Sequence, residues 1–94
     1  MQLVGRKLVE DYIAGHADLT QPARAWMAEV EASKWGNPPE MKLRYPTASI
    51  IAGDIVIFNL KGNRYRLEAR VDYQRQVVVV RRIGTHAEYS RWTY

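Results

Sequence analysis

Residues 55–83 read IVIFNLKGNRYRLEARVDYQRQVVVVRRI, and this stretch decides the fold class. Its β-branched and aromatic residues fall into three runs, at 55–60, 65–73 and 77–83, separated by two short polar segments. Short runs of this kind, bounded by polar turn segments, are typical of β-strands in a hairpin or meander. The stretch therefore predicts a three-stranded antiparallel meander.

Alternation along the middle strand of this meander separates its side chains into two faces. Because successive strand residues point to opposite sides, the apolar set should pack on helices and the charged set should lie in water. The residues expected to face inward are Tyr65, Leu67, Ala69, Val71 and Tyr73, with Val56, Phe58 and Leu60 on the preceding strand. Those expected on the open face are Arg66, Glu68, Arg70 and Asp72, beside Ile57 and Asn59.

Upstream of the meander, apolar residues recur at helical spacing in two segments, 6–15 and 20–35. Thr20 is the predicted N-cap of the second helix, because its hydroxyl can accept a hydrogen bond from the first turn. This helix is expected to end near Trp35.

Four other segments complete the secondary-structure prediction. Residues 1–4 are predicted to form a short edge strand, and residues 36–53 a proline-containing connector with a brief extended piece at 48–52. A short helix is predicted at 86–92, after Gly84 ends the last strand. The result is an α+β fold, with two N-terminal helices packed on one face of a small antiparallel sheet and a short C-terminal helix.

The charge of the chain is unevenly distributed. Residues 1–54 carry six Lys/Arg and seven Asp/Glu, whereas residues 55–94 carry eight Lys/Arg and three Asp/Glu, so the net charge of +4 comes from the C-terminal part. An excess of this kind suggests a polyanionic partner, although a solvated basic surface has the same composition.

The composition also excludes several classes of protein. Without cysteine the chain can form neither a disulfide framework nor a cysteine-based zinc site. No apolar run approaches the roughly 18 residues that a membrane-spanning helix needs, so we expect a cytoplasmic protein. Its 94 residues fit a single domain, 1–94.

Two residues near the C-terminus are candidates for proton transfer. His86 and Tyr89 are three positions apart, so both can point from one side of the predicted helix toward the sheet edge. Histidine titrates near neutrality, as a proton donor or acceptor should. The same pair also fits a purely structural role. The other histidine, His16, lies in a polar link and is expected to be solvated; no carboxylate cluster surrounds either, so we expect no metal and no cofactor.

Two motifs, NLKGNRYRL at 59–67 and GTHAEY at 84–89, resemble the HigB family of toxins from bacterial toxin–antitoxin pairs, within the wider RelE-like superfamily. The resemblance covers essentially the whole chain. It implies the RelE-like fold and the activity of a ribosome-dependent mRNA interferase. It also implies silencing by a HigA-like helix-turn-helix antitoxin, with DNA reached only indirectly through that partner.

The resemblance further implies roles for individual residues. The arginine of the Tyr-Arg-Leu motif, here Arg66, would contact the scissile phosphate. His86 would be the basic residue that follows the strand-ending glycine, and Tyr89 the tyrosine of the last helix. RelE-like toxins carry lysines on the strand before the turn, whereas here Lys61 lies one pleat further on. The residues expected to bind RNA are Lys61, Asn63, Arg64, Arg70 and Arg82.

Two function hypotheses from different classes follow. The first is a metal-independent endoribonuclease in which Arg66 stabilises charge and His86 and Tyr89 transfer protons during attack by the RNA 2′-hydroxyl. The second is a non-catalytic RNA- or ribosome-binding module that uses the same basic face. The bases of the bound RNA would stack on exposed aromatic residues, for which the candidates are Tyr73, Trp92 and Tyr94. A protein–protein adaptor, which would not depend on nucleic acid, is a third possibility.

Overall fold

A five-stranded mixed sheet forms the centre of the computed structural model, which describes residues 1–93. The strands are β1 (Gln2–Val4), β2 (Ser49–Ala52), β3 (Ile55–Leu60), β4 (Tyr65–Asp72) and β5 (Val77–Thr85). Their order across the sheet is β1-β5-β4-β3-β2. The predicted antiparallel meander is present as β3–β5. The sheet as a whole is mixed because β1 runs parallel to β5, a pairing that the intervening helical crossover makes possible.

Four α-helices lie in the described part of the chain. They are α1 (Arg6–Ala14), α2 (Thr20–Ala32), α3 (Pro38–Arg44) and α4 (His86–Tyr89). None of them is long and apolar enough to cross a membrane.

The predicted limits of the second helix were wrong at both ends. A 3₁₀ turn at Ala17–Leu19 runs directly into α2, so Leu19 occupies the N-cap position and no side chain caps the helix. Thr20 is already inside the first turn. At the other end Ser33 has extended backbone, so α2 stops before Trp35.

Helix α3 occupies part of the segment predicted to be an irregular connector. The Asn37 side chain accepts a hydrogen bond from the Glu40 backbone N–H at 3.0 Å, and Pro38 starts the helix. Only Met41 is buried on this short helix, so no apolar periodicity could reveal it. The asparagine N-cap followed by proline was the available signal.

A single apolar core lies between the helices and the inward face of the sheet. The apolar stripe of α2 is buried there, and the Trp26 ring packs edge-on against Phe58 with centroids 5.2 Å apart. Val9 and Ile13 of α1 join the same core. The predicted inward residues that are buried are Val56, Phe58, Leu60, Tyr65, Leu67, Ala69 and Val71, while Tyr73 is partly buried.

The alternation predicted that the opposite face of β4 would be exposed to solvent along its whole length. This prediction was wrong for the middle of the strand. Glu68 is only 3% exposed, and Ile57 beside it is 1% exposed. A register shift between Glu68 and Ala69 leaves one extra residue in β5, a β-bulge that brings two consecutive arginines to the same carboxylate. Arg81 lies 3.3 Å and Arg82 2.9 Å from the Glu68 oxygens.

The C-terminal end of β5 also differs from the prediction. The strand runs through Gly84 to Thr85, so the glycine is inside the strand rather than at its end. A Cβ added to Gly84 would lie 3.1 Å from the Glu88 Cβ and 3.1 Å from a ring carbon of Trp92. The glycine therefore lets α4 and the turn after it rest directly on the sheet. Helix α4 is shorter than predicted and ends at Tyr89.

Candidate functional site

Arg66 lies near the start of β4, where the open face meets the turn between β3 and β4. Its guanidinium donates hydrogen bonds to the backbone oxygens of Asn63, at 2.9 Å, and Tyr65, at 3.4 Å. The guanidinium carbon is 5.4 Å from the centre of the Tyr89 ring, a cation–π arrangement. Of the three residues predicted to be catalytic, the structure thus brings Arg66 and Tyr89 into contact.

Helix α4 is fixed to the sheet by its first residues. The Thr85 side chain accepts from the Glu88 backbone N–H at 3.1 Å, and the Glu88 carboxylate accepts from the Thr85 backbone N–H at 2.9 Å, forming a capping box. The His86 backbone N–H donates to the Arg64 carbonyl at 2.9 Å. The capping box fixes the start of α4, and the His86–Arg64 bond holds it against the turn that carries Lys61, Asn63 and Arg64.

The exposed side chain of His86 lines a cleft of about 490 Å³. The lining residues are Asp18, Asn63, Arg64, Tyr65, Thr85, His86 and Ala87. Arg66 and Tyr89 are not among them, so within residues 1–93 the predicted trio divides into an Arg66–Tyr89 pair and a histidine in the adjoining cleft. Both parts lie at the same end of the sheet.

Asp18, which the sequence prediction missed, lies in this cleft. Its carboxylate is 3.2 Å from the Lys61 ammonium and 3.7 Å from the Arg64 guanidinium, and it accepts a 2.8 Å hydrogen bond from the Tyr65 hydroxyl. The bond from Tyr65, followed by the interaction with Lys61, lowers the pKa of Asp18. The same bond raises the pKa of the Tyr65 hydroxyl. No local pattern marks Asp18, since its partners are more than 40 positions away.

The turn between β3 and β4 has a constrained backbone. Lys61 has φ 51° and Gly62 has φ 65°, so two consecutive residues are left-handed. Glycine adopts this region freely, whereas for lysine it costs on the order of 1 kcal/mol. Lys61 therefore occupies a strained position in the turn.

His16 is not the freely solvated residue that was predicted. Its ring stacks on Tyr12 with centroids 4.0 Å apart, and its Nδ1 is 2.9 Å from the Tyr12 carbonyl oxygen. The Tyr12 hydroxyl in turn donates to the Glu88 carboxylate at 3.1 Å, so α1 is linked to α4. The hydrogen bond from the Thr85 backbone N–H is the main cause of the lowered pKa of Glu88, and the bond from Tyr12 lowers it further.

Comparison with known protein families identifies the chain. Residues 19–92 match the HigB toxin family, the RelE-like toxic component of a toxin–antitoxin system. The chain belongs to this family. No curated protein matches it. As a HigB-family toxin it has an antitoxin as partner, and the α+β architecture of helices and a five-stranded sheet is consistent with the RelE-like fold.

The remaining predicted RNA-binding residues of this HigB-family toxin are spread along the open face. Arg82 is bonded to Glu68 and also stacks on the Trp92 ring, 4.3 Å from its centre. Arg70 lies toward the other end of β4, where it pairs with Asp54 at 2.8 Å. The structure therefore does not bring Arg70 together with the Arg66–Tyr89 pair.

The two strand positions at which the resemblance implied lysines have other roles here. Ile57 is buried, and the Asn59 side chain donates to the Thr47 carbonyl at 3.0 Å. The nearest cation along the chain is Lys61, in the turn. Across residues 1–93, no three His, Asp or Glu side chains are grouped so that they could hold a metal ion.

The aromatic residues considered for base stacking differ in their surroundings. The Tyr73 hydroxyl is buried without a hydrogen-bond partner in the described structure, and the ring packs against the core. Trp92 lies over Arg82 and edge-on to Tyr89, with ring centroids 5.4 Å apart. Tyr94 lies outside the described residues.

Proposed function

We propose that this toxin is a metal-independent endoribonuclease that cleaves mRNA, in the cytoplasm and on the ribosome, until a HigA-like helix-turn-helix antitoxin silences it. The observation that carries the proposal is the Arg66 guanidinium held over Tyr89 beside the cleft that contains His86. A group that stabilises anionic charge and two that can transfer protons thus lie at one end of the sheet. Binding RNA would not by itself require this combination.

The reaction that suits these groups is attack by the RNA 2′-hydroxyl on the adjacent phosphorus. The 2′-oxygen loses its proton as it bonds to phosphorus, and the 5′-oxygen gains a proton as its bond to phosphorus breaks. The products are a 2′,3′-cyclic phosphate, which can open to a 3′-phosphate, and a 5′-hydroxyl. DNA lacks the attacking group and should not be cut.

Each residue has a role in this reaction. Arg66 stabilises the extra negative charge of the pentacoordinate phosphorus, because its planar fork can donate two hydrogen bonds at once. His86 and Tyr89 carry the two proton transfers. Lys61, Asn63, Arg64 and Arg82 hold the neighbouring RNA backbone, with Arg70 further along the open face.

Substitution of His86 and Arg66 tests the proposal most directly. We expect His86→Ala and Arg66→Ala each to lower the rate of mRNA cleavage on ribosomes by a factor of about 10²–10⁴. Arg66→Lys should rescue poorly, because an ammonium lacks the bidentate fork. Arg75→Ala is the matched control: it removes the same charge from the opposite end of the sheet, where Arg75 pairs only loosely with Asp72.

Cleavage is measured by primer extension with purified ribosomes, and folding by circular dichroism and thermal melting. Full cleavage by folded His86→Ala and Arg66→Ala proteins would show that the site is wrong. RNA binding without cleavage by the native toxin would instead favour the non-catalytic RNA- or ribosome-binding module.

A further inference from the structure

One carboxylate holds both cations of the turn between β3 and β4. Asp18 Oδ2 is 3.2 Å from the Lys61 ammonium and 3.7 Å from the Arg64 guanidinium. Both cations belong to the proposed RNA-binding residues. In the protein without RNA, half of the positive charge of this pair is therefore already neutralised from within the chain.

We propose that Asp18 is a specificity-determining residue of the RNA site, whose carboxylate competes with RNA phosphate for Lys61 and Arg64. The inference rests on the proposed function, because RNA is the ligand. The competition lowers the affinity for RNA that contacts only the turn. RNA that is also held elsewhere, as on a ribosome, overcomes it.

The geometry makes competition unavoidable. A phosphate that bonded to both cations would lie beside Asp18, and two anions at that separation repel each other at the surface of a protein. The Lys61 and Asp18 side chains are 36% and 38% exposed, so the ion pair is open to water and to a competing anion. Exposed pairs of this kind are weak, so phosphate can displace the carboxylate but does so at a cost in affinity.

Asp18 is also held in place, so it does not simply swing aside. Its other oxygen, Oδ1, accepts from the hydroxyl of Tyr65, whose ring is buried at 7% exposure. The bond from Tyr65 lowers the pKa of Asp18 further below neutrality, so the carboxylate is charged at neutral pH, as an ordinary aspartate is. Lys61, the partner of Asp18, has a left-handed backbone, which limits the conformations available to the turn.

The link between Asp18 and the turn is long-range, since Lys61 lies 43 positions further along the chain.

The test compares Asp18→Asn with the native toxin. Asparagine keeps the size of the side chain and an oxygen that can accept from the Tyr65 hydroxyl, so the fold should be retained. The probe is a fluorescein-labelled single-stranded RNA oligonucleotide, and its binding is followed by fluorescence anisotropy over a series of salt concentrations. We expect Asp18→Asn to bind about fivefold more tightly at low salt, with a salt dependence steeper by about 0.7 units for the one net charge released.

Asp11→Asn is the matched control for net charge. Asp11 pairs with Lys7 on α1 at 2.9 Å, and both side chains are largely exposed. This variant should change RNA affinity by less than about twofold at about 0.15 M salt, because Asp11 pairs with Lys7 and not with Lys61 or Arg64, and exposed charges are largely screened at that salt concentration. If it tightened binding as much as Asp18→Asn, overall charge would explain the gain and the proposal would fail.

A double-mutant cycle assigns the gain to the two cations. In a Lys61→Gln, Arg64→Gln background, adding Asp18→Asn should no longer tighten binding. A gain that persisted there would overturn the proposal, as would unchanged affinity in Asp18→Asn or no RNA binding by either protein. Cleavage is measured separately: a tighter Asp18→Asn protein together with full cleavage by Arg66→Ala would reject the proposed active site but leave the competition standing.

Discussion

The two faces of strand β4 (Tyr65–Asp72) are built from alternate residues of one segment, yet they are stabilised in different ways. The inward face is apolar throughout, and Leu67, Ala69 and Val71 are buried against the helices. The other face carries Arg66, Glu68 and Arg70, each of which has a polar partner elsewhere in the chain.

The two faces differ because one depends on a repeating sequence pattern and the other on contacts between particular residues. Burial of the inward face depends only on the two-residue period of a strand, which any apolar side chain of suitable size can satisfy. The polar contacts around the site depend on particular partners. Tyr12 and Glu88 are 76 positions apart, and Asp18 and Lys61 are 43 apart. Substitutions on the inward side should therefore change stability, and those around the site should change activity or local structure.

The largest stability effect is expected from Trp26→Ala. Trp26 is 2% exposed and packs against Phe58, so its removal leaves a large cavity in the core. We expect a loss of about 3–5 kcal/mol in the free energy of unfolding, measured by urea denaturation. The buried indole N–H has no partner in the described structure, so no hydrogen bond adds to this loss.

Leu43→Ala provides the control, because Leu43 is 85% exposed. It also truncates a large apolar side chain but should change stability by less than about 0.5 kcal/mol. If the two variants were equally stable, α2 would not pack on the inward face as described.

On the inward side, the packing of β3, β4 and α2 could be predicted from the sequence. Alternation identified the buried residues of β3 and β4, and helical spacing identified the apolar stripe of α2 around Trp26 and Met27. These patterns repeat over several turns or strand positions, so each residue supports the same interpretation.

Features that depend on one cap, one bulge or one distant partner were missed or misplaced. Helix α3 has a single buried residue, Met41, and the 3₁₀ turn before Thr20 left no place for a side-chain cap. The burial of Glu68 follows from a bulge in a different strand. Motifs shared with the family indicated Arg66, His86 and Tyr89 as the candidate site. They gave no indication of Asp18, whose partners Lys61 and Tyr65 are 43 and 47 positions away.

A smaller stability effect is expected from Glu68→Gln on the open face. Removing one member of a fully buried ion pair typically costs about 3–5 kcal/mol. Here the Arg81 and Arg82 side chains are 48% and 38% exposed, so water can hydrate them once the charge of Glu68 is lost. We therefore expect a loss of about 1–2 kcal/mol in the free energy of unfolding.

Asp72→Asn is a suitable comparison on the same face of β4, because the Arg75 guanidinium is 84% exposed and 3.9 Å away, and the asparagine oxygen can still accept the hydrogen bond from the Arg75 backbone N–H. Its effect should stay below about 0.5 kcal/mol. A cost for Glu68→Gln as large as that for Trp26→Ala would mean that the bulge region behaves as core. A cost no larger than that for Asp72→Asn would mean that the two arginines gain nothing from the carboxylate.

The smallest effect is expected from Tyr12→Phe, which removes the 3.1 Å hydrogen bond from α1 to the Glu88 carboxylate and keeps the ring that stacks on His16. The pKa of Glu88 lies below its usual value of 4.5, mainly because of the Thr85 backbone N–H and further because of the Thr85 and Tyr12 hydroxyls. A carboxylate with a lowered pKa stabilises the fold above its unfolded-state value, and this contribution is lost as the pH falls through the folded-state pKa.

The Thr85 backbone amide donates to Glu88 and therefore reports its ionisation in an NMR pH titration. In the native toxin the midpoint for this amide should lie below 4.5. In Tyr12→Phe it should move upward toward that value, because one of the bonds that favour the carboxylate is gone. The capping box itself does not involve Tyr12, so the amide should keep its bonded chemical shift at neutral pH. An unchanged midpoint would show that α1 does not hold α4 through this contact, and the position of α4 would then depend on the capping box, the His86–Arg64 backbone bond and the close packing at Gly84.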